Sequence, residues 1–181
     1  KLNNISNHAL LKISASDLYD FLLDFAENQE KSFGNSKYKD LLSDRDYWLK
    51  LIDIGRNDKK PRKDHVYAKQ IFENLSYFFD DTFKQVDDFP SEAMDDRKVI
   101  IEKYLNTYDH NDDNEAWFNK IRAISGELGY AIKPKDFKKN PDAFKGHVGH
   151  VSTVIRLAIM GRQTSPDLWE IQQLLGEDRV I

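Results

Sequence analysis

Cysteine is absent from the 181 residues, which excludes disulfides, thiol nucleophiles and thiolate metal sites together. Glycine numbers only 8 and proline 5, so the chain holds neither a glycine-rich phosphate loop nor a low-complexity linker. No apolar run approaches the length that crosses a bilayer, and no secretory segment opens the sequence. Sustained apolar–polar alternation with β-branched enrichment is missing as well, which makes strands rare or absent. No fixed-period repeat occurs.

What is present is a polar, core-forming composition. Hydrophobic residues make up 40% and charged residues 32%, enough for a buried core beneath a charged helical surface, and too apolar for disorder. The size allows one large domain or two small ones. Lys1 opens the chain in mid-pattern, so a piece of a longer protein is expected. The net charge of −4 is unevenly spread. Residues 73–115 are acidic, with Asp80, Asp81, Asp87, Asp88, Asp95 and Asp96 among them. Cations then dominate from Lys120 to Arg162, and a second basic patch runs Arg56, Lys59, Lys60, Arg62, Lys63. Local potential, not the sum, decides what a surface attracts. On charge alone, such lysine runs are more often solvated faces than RNA sites.

Capping and periodicity lay out the helices. Ser14 with Asp17 starts one through Leu18, Leu22 and Phe25. Tyr38, Leu41 and Leu42 belong to a short helical piece, and Asp44 caps a helix through Trp48 and Ile52. After the charged loop 56–63, Asp64 is expected to cap a helix carrying Ala68, Ile71 and Phe72. Phe89-Pro90 reads as a boundary. Ser91 is expected to cap the next helix, with Met94, Ile100 and Leu105 along it. Asp113 or Asn114 opens another through Trp117, Ile121 and Ile124, and residues 133–144 form a proline-broken basic connector. The fold class is all-α, in two packed helical subdomains: residues 1–89 and 90–181.

Residues 144–180 are the most informative. Gly146 precedes a helix whose apolar positions Val148, Val151, Ile155 and Ala158 recur at helical spacing. Gly161 suits the left-handed position that closes it. Ser165-Pro166 restarts the chain as a helix: the serine oxygen can accept from an orphan amide, and proline suits the first helical position. Leu168, Ile171, Leu174 and Leu175 form the buried stripe, and Gly176 ends it. The turn gathers Arg156, Arg162, Thr164, Ser165, Pro166 and Leu168. Arg156, with Met160, stands off the centre of its helix's apolar stripe. Its planar fork can bond or stack on a base edge, as lysine cannot. A surface salt bridge explains it equally well from the residues alone.

The segments Ile155-Arg156-Leu157-Ala158, Gly161-Arg162, Ser165-Pro166-Asp167-Leu168 and Leu175-Gly176 together resemble the close of bacterial glutamyl-tRNA synthetases. The likeness continues in the opening K-L-N-N-I-S-N-H-A-L-L-K-I-S-A-S-D-L-Y, in residues 60–64 and in residues 75–79. It covers essentially the whole chain and is weakest across the acidic middle. The resemblance implies the anticodon-binding helical cage of a class I synthetase, without its catalytic half. The implied parent activates glutamate with ATP and Mg, then transfers it to the tRNA 3′ end. The piece itself would carry no catalytic residue, cofactor or metal. Its implied partner is glutamate tRNA, through the anticodon arm; glutamate and ATP would enter only through the missing half. A cytoplasmic monomer with no membrane contact is expected. Implied anticodon contacts are Arg156, Ser165, Pro166, Leu168 and, by a looser match, Arg62. Phosphate contacts are expected at Lys138, Lys139, Lys145 and Arg162.

Other strings invite different chemistry. His147-Val148-Gly149-His150 mimics the ATP signature His-Ile-Gly-His of class I synthetases, but no strand precedes it and the Lys-Met-Ser-Lys-Ser partner is missing, so it is read as coincidental. The same histidines, one turn apart, lack the further ligands of a zinc site. Asp109–Asp113 begins like a calcium loop, but Asn114 stands where the turning glycine belongs and Lys120 where the closing glutamate belongs. Aromatic residues 77–79 are read as core, with Tyr77 the member expected at the surface. Alternatives are a class I lysyl-tRNA synthetase tail, a helical protein-interaction module and, least favoured, a metal-dependent enzyme.

Overall fold

The computed structural model describes residues 2–56 and 59–181. Lys1, the side chains of residues 2–6 in the opening run, and positions 57 and 58 of the charged loop lie outside the described residues. Among the described residues, regular structure is helical apart from one isolated parallel bridge between Ala131 and His147. In chain order the α-helices are α1 (Leu2–Lys12), α2 (Ala15–Phe33), α3 (Lys37–Leu41), α4 (Arg45–Asp53), α5 (Ala68–Asn74) and α6 (Arg97–Thr107). They continue as α7 (Asn114–Glu127), α8 (Pro134–Lys139), α9 (Val148–Met160), α10 (Leu168–Leu175) and α11 (Glu177–Val180).

The chain divides into two compact units, Lys1–Thr82 and Phe83–Ile181. Residues 83–89, grouped with the first unit in the sequence reading, run with the second. There the amides of Val86 and Asp87 both donate to the Gly161 carbonyl, at 2.7 and 3.1 Å.

In the first unit α2 packs on α3, α4 and α5. Ser14 Oγ accepts from the Asp17 amide at 3.0 Å and donates to the Asp17 carboxylate at 2.7 Å, which fixes the start of α2. Asp44 caps α4 by accepting from the Tyr47 amide at 2.9 Å. Leu18, Leu22 and Ala26 meet an interior that also holds Trp48, Leu51, Ile71 and Phe78. Burying each large aliphatic side chain contributes about 1.5–3 kcal/mol. Trp48 stacks on Phe79 and meets Phe72 edge-on, both at 5.4 Å between ring centres. The aromatic run is therefore core, as expected, yet Tyr77 is only 3% exposed. Its place in a tight 3-10 turn, Ser76–Phe78, turns it inward, against the expectation that it face solvent. Asp64 does not cap α5: its carboxylate pairs with Arg62 at 2.5 Å, and Tyr67 occupies the cap position without a side-chain bond.

In the second unit α6, α7 and α9 pack mutually, and α11 folds on α10. Asp113 caps α7 by accepting from the Ala116 amide at 2.8 Å. Ser91 starts only a 3-10 turn, Ser91–Ala93, and the helix expected from it begins at Arg97. Asp96, at the cap position, gives its carboxylate to Lys145 at 2.8 Å and to the Tyr130 hydroxyl at 2.9 Å instead. The buried stripe of α9 is Val148, Val151, Val154, Ile155, Leu157 and Met160. Ala158, expected in that stripe, is exposed, while Met160 is fully buried. One polar cluster lies in this core. The Tyr104 hydroxyl accepts from Trp117 Nε1 at 3.0 Å and meets the fully buried amide of Gln172. Burial pushes the Tyr104 hydroxyl up to about 12, so it stays a neutral hydrogen-bonding group joining α6, α7 and α10.

Candidate functional site

The corner between α9 and α10 is built from the chain outward. Gly161 closes α9 in the left-handed region, at φ 67° and ψ 14°, its amide donating to Leu157. A second constraint lies outside the helix. A Cβ at Gly161 would fall 2.3 Å from the Lys84 carbonyl oxygen and 2.8 Å from Gln85 Cα. Residues 84–88 thus strap the corner at backbone distance. Beyond the glycine, the Gln163 amide donates to Asp87 Oδ2 at 2.8 Å, and Gln163 Nε2 donates to the Asp88 carbonyl at 2.9 Å.

Arg156 faces this corner. Its Nε donates to Ser165 Oγ at 3.1 Å and its Nη1 to the Gln163 carbonyl at 3.4 Å. Ser165 in turn donates to the Pro166 carbonyl at 2.7 Å. Ser165 therefore does not cap α10, and Pro166 is not its first residue. Asp167 caps instead, accepting from the Glu170 amide at 3.1 Å, and the helix opens at Leu168. Either residue type caps well; the guanidinium engages the serine, and the carboxylate beside it serves the helix.

The structure brings Arg156, Arg162, Ser165 and Pro166 together on one partly exposed corner flanked by the exposed Gln163, Thr164 and Asp167. Leu168 differs: it is 2% exposed and supports α10 from within, so Pro166, and not Leu168, offers apolar surface at the turn. Leu174, expected to be buried with it, is partly exposed, and Gln172 takes the interior place. Arg62 lies in the other unit, paired to Asp64.

The expected phosphate contacts separate in the same way. Lys138 and Lys139 are exposed in the last turn of α8. Lys145 is held by Asp96, whose carboxyl it draws below the usual carboxylate range, with the Tyr130 hydroxyl helping. The connector is not a free arm. The Ala131 amide donates to the Gly146 carbonyl at 2.9 Å and the Val148 amide to the Ala131 carbonyl at 2.8 Å. Its two ends are pinned side by side, and the α8 lysines stand on a closed excursion.

The histidine string serves the start of α9. The His147 ring accepts from the Gly149 amide at 3.0 Å, and the His150 ring accepts from the His147 amide at 3.3 Å. The rings stack at 4.0 Å. This is a capping box with imidazoles in place of the usual oxygens. A Cβ at Gly149 would fall 2.6 Å from the His147 ring, so a larger residue there would have to displace the capping imidazole. Burial, then the neighbouring His150, holds the His147 imidazole below its ordinary range. Among the described residues, no group of three metal-ligating side chains converges, and no helix is long and apolar enough to cross a membrane.

The sequence reading missed Asp87 and Gln163. No local signal marks them, since their partnership joins a loop before α6 to a turn after α9.

Fold and site together define an all-α unit that presents polar groups at an interhelical corner. No family model matches the chain. It is 53% identical over 181 residues to a glutamate–tRNA ligase of Acetivibrio thermocellus, covering 99% of this chain and 32% of the relative. A glutamate–tRNA ligase of Sorangium cellulosum is 36% identical over 183 residues, covering 99% of this chain and 31% of that protein. That of Clostridium perfringens is 32% identical over 186 residues, covering 99% and 33%. The chain thus spans about a third of the length of the curated relatives it matches. It is homologous throughout to glutamate–tRNA ligases, matching their C-terminal portion.

Proposed function

We propose that this chain is the part of a glutamate–tRNA ligase that binds the anticodon arm of glutamate tRNA. The parent would attach glutamate to that tRNA at the expense of ATP, in the cytoplasm, with its catalytic groups elsewhere in the protein. This portion acts as a monomeric recognition unit that holds the tRNA so that its distant 3′ end reaches the active site.

The observation that carries the reading is the Arg156 fork held against Ser165 on a partly exposed corner. A guanidinium fixed at one edge presents a flat, charged face to an unstacked base, and single-stranded loops are where RNA sequence is read. The Asp87 and Asp167 carboxylates sit at the same corner. They offset the charge of Arg156 and Arg162, which favours an uncharged base over a phosphate there. The exposed lysines of α8 supply salt-sensitive attraction for the RNA backbone without reading sequence.

The test is fluorescence anisotropy of the full chain with glutamate tRNA and with the same tRNA carrying a scrambled anticodon. Tighter binding of the intact anticodon at every salt concentration is expected. Equal binding of the two refutes the proposal.

A further inference from the structure

We propose that Asp87 is a positioning residue for base reading at the α9–α10 corner, acting as the hydrogen-bond acceptor that orients the Gln163 peptide and, through it, Arg156. The inference rests on the corner being the base-reading surface and adds a residue outside it.

The connection runs through backbone. Asp87 Oδ2 accepts from the Gln163 amide at 2.8 Å. That residue's own carbonyl accepts from Arg156 Nη1 at 3.4 Å. The donor to Asp87 lies in the 162–163 peptide and the acceptor for the guanidinium in the 163–164 peptide; the two meet at the Gln163 Cα, so displacing the first from Asp87 shifts the pivot of the oxygen that steadies the fork. The strap carrying Asp87 is itself anchored, because the Val86 and Asp87 amides both donate to the Gly161 carbonyl. Gln163 Nε2 adds a bond to the Asp88 carbonyl at 2.9 Å. Together these hold both sides of an otherwise exposed turn.

A carboxylate so close to an RNA surface is electrostatically unfavourable for the ligand, which makes its bond to the turn the reason for its presence. Asparagine in its place keeps an oxygen for the Gln163 amide and removes the charge. Alanine removes both. The difference between these two variants isolates the hydrogen bond.

The experiment uses the full chain with glutamate tRNA and its anticodon-scrambled counterpart, and records Gln163 amide hydrogen exchange without RNA. Asp87→Ala is expected to lower anticodon discrimination about tenfold, the scale of one good base contact, to leave the salt slope unchanged and to expose the Gln163 amide. Asp87→Asn is expected to keep discrimination within about threefold, under half the free energy of such a contact, and to keep the amide protected. A wild-type chain that binds both tRNAs equally refutes the reading of the corner and the inference with it. Discrimination that is present in wild type and survives Asp87→Ala refutes the inference alone. So does Asp87→Asn behaving like Asp87→Ala, which would make the charge, not the acceptor, the active feature.

Discussion

Replacing Gly161 by alanine tests whether the strap and the corner are one construction. The residue sits at φ 67°, where an L side chain costs about 1–2 kcal/mol. A methyl there would also approach the Lys84 carbonyl oxygen to 2.3 Å, and because that atom is backbone it cannot swing aside. Relief requires residues 84–87 to move away, which breaks the bonds from Val86 and Asp87 to the Gly161 carbonyl. Each such bond is worth about 0.5–1.5 kcal/mol net, so the whole loss is about 2–5 kcal/mol. Gly129, in the same unit at φ 86°, has only Lys145 Cγ at 4.0 Å from a built Cβ. Gly129→Ala should cost the backbone part alone, about 1–2 kcal/mol. The assay is urea denaturation followed through hydrogen exchange of α9 amides, which reports on the second unit by itself. If the two alanine variants prove equally stable, the strap exerts no steric hold on Gly161 and the reasoning fails.

Three further outcomes follow from the same structure. Arg156→Ala should weaken anticodon-dependent binding by about 1–3 kcal/mol, and Arg156→Lys should not restore it, because a lysine ammonium is a point charge without the fork; anisotropy with intact and scrambled tRNA checks both. Reversing Lys138 and Lys139 to glutamate should flatten the salt dependence of binding while preserving base preference, measured as the slope of log affinity against log salt. His147 accepts from the Gly149 amide only as neutral imidazole, and burial lowers its affinity for a proton in the folded state. The unfolded chain then binds the proton more readily, with an ordinary value near about 6.5. The contribution to stability is therefore present above that pH and lost as pH falls through the lower folded value. The denaturation midpoint read on α9 should fall as pH drops below about 6.5, and His147→Asn, which caps without titrating, should reduce that dependence.

Much of the architecture was legible because it is local. Ser14, Asp44 and Asp113 each act as a cap where capping chemistry predicts one, and Gly161 closes its helix with positive φ. The failures have different causes. Asp64, Ser165 and Ser91 are good local candidates, but Arg156 from the preceding helix holds Ser165, while near neighbours take the other two side chains: Arg62 pairs with Asp64, and Ser91 donates to Glu92. Tyr77 went inward because a 3-10 turn changed which side chains share a face.

The amino-acid sequence on its own determined the all-helical class, several helix ends and the closeness of Arg156 to the Ser165-Pro166 turn, since propensity, capping and periodicity act over a few residues. Tertiary structure alone decided that Gln172 is buried in place of Leu174, that Asp167 caps α10, and that Asp87 reaches the turn from a distant loop. Those outcomes depend on which of several competent donors and acceptors come within about 3 Å of each other, and that proximity is a property of the packed chain.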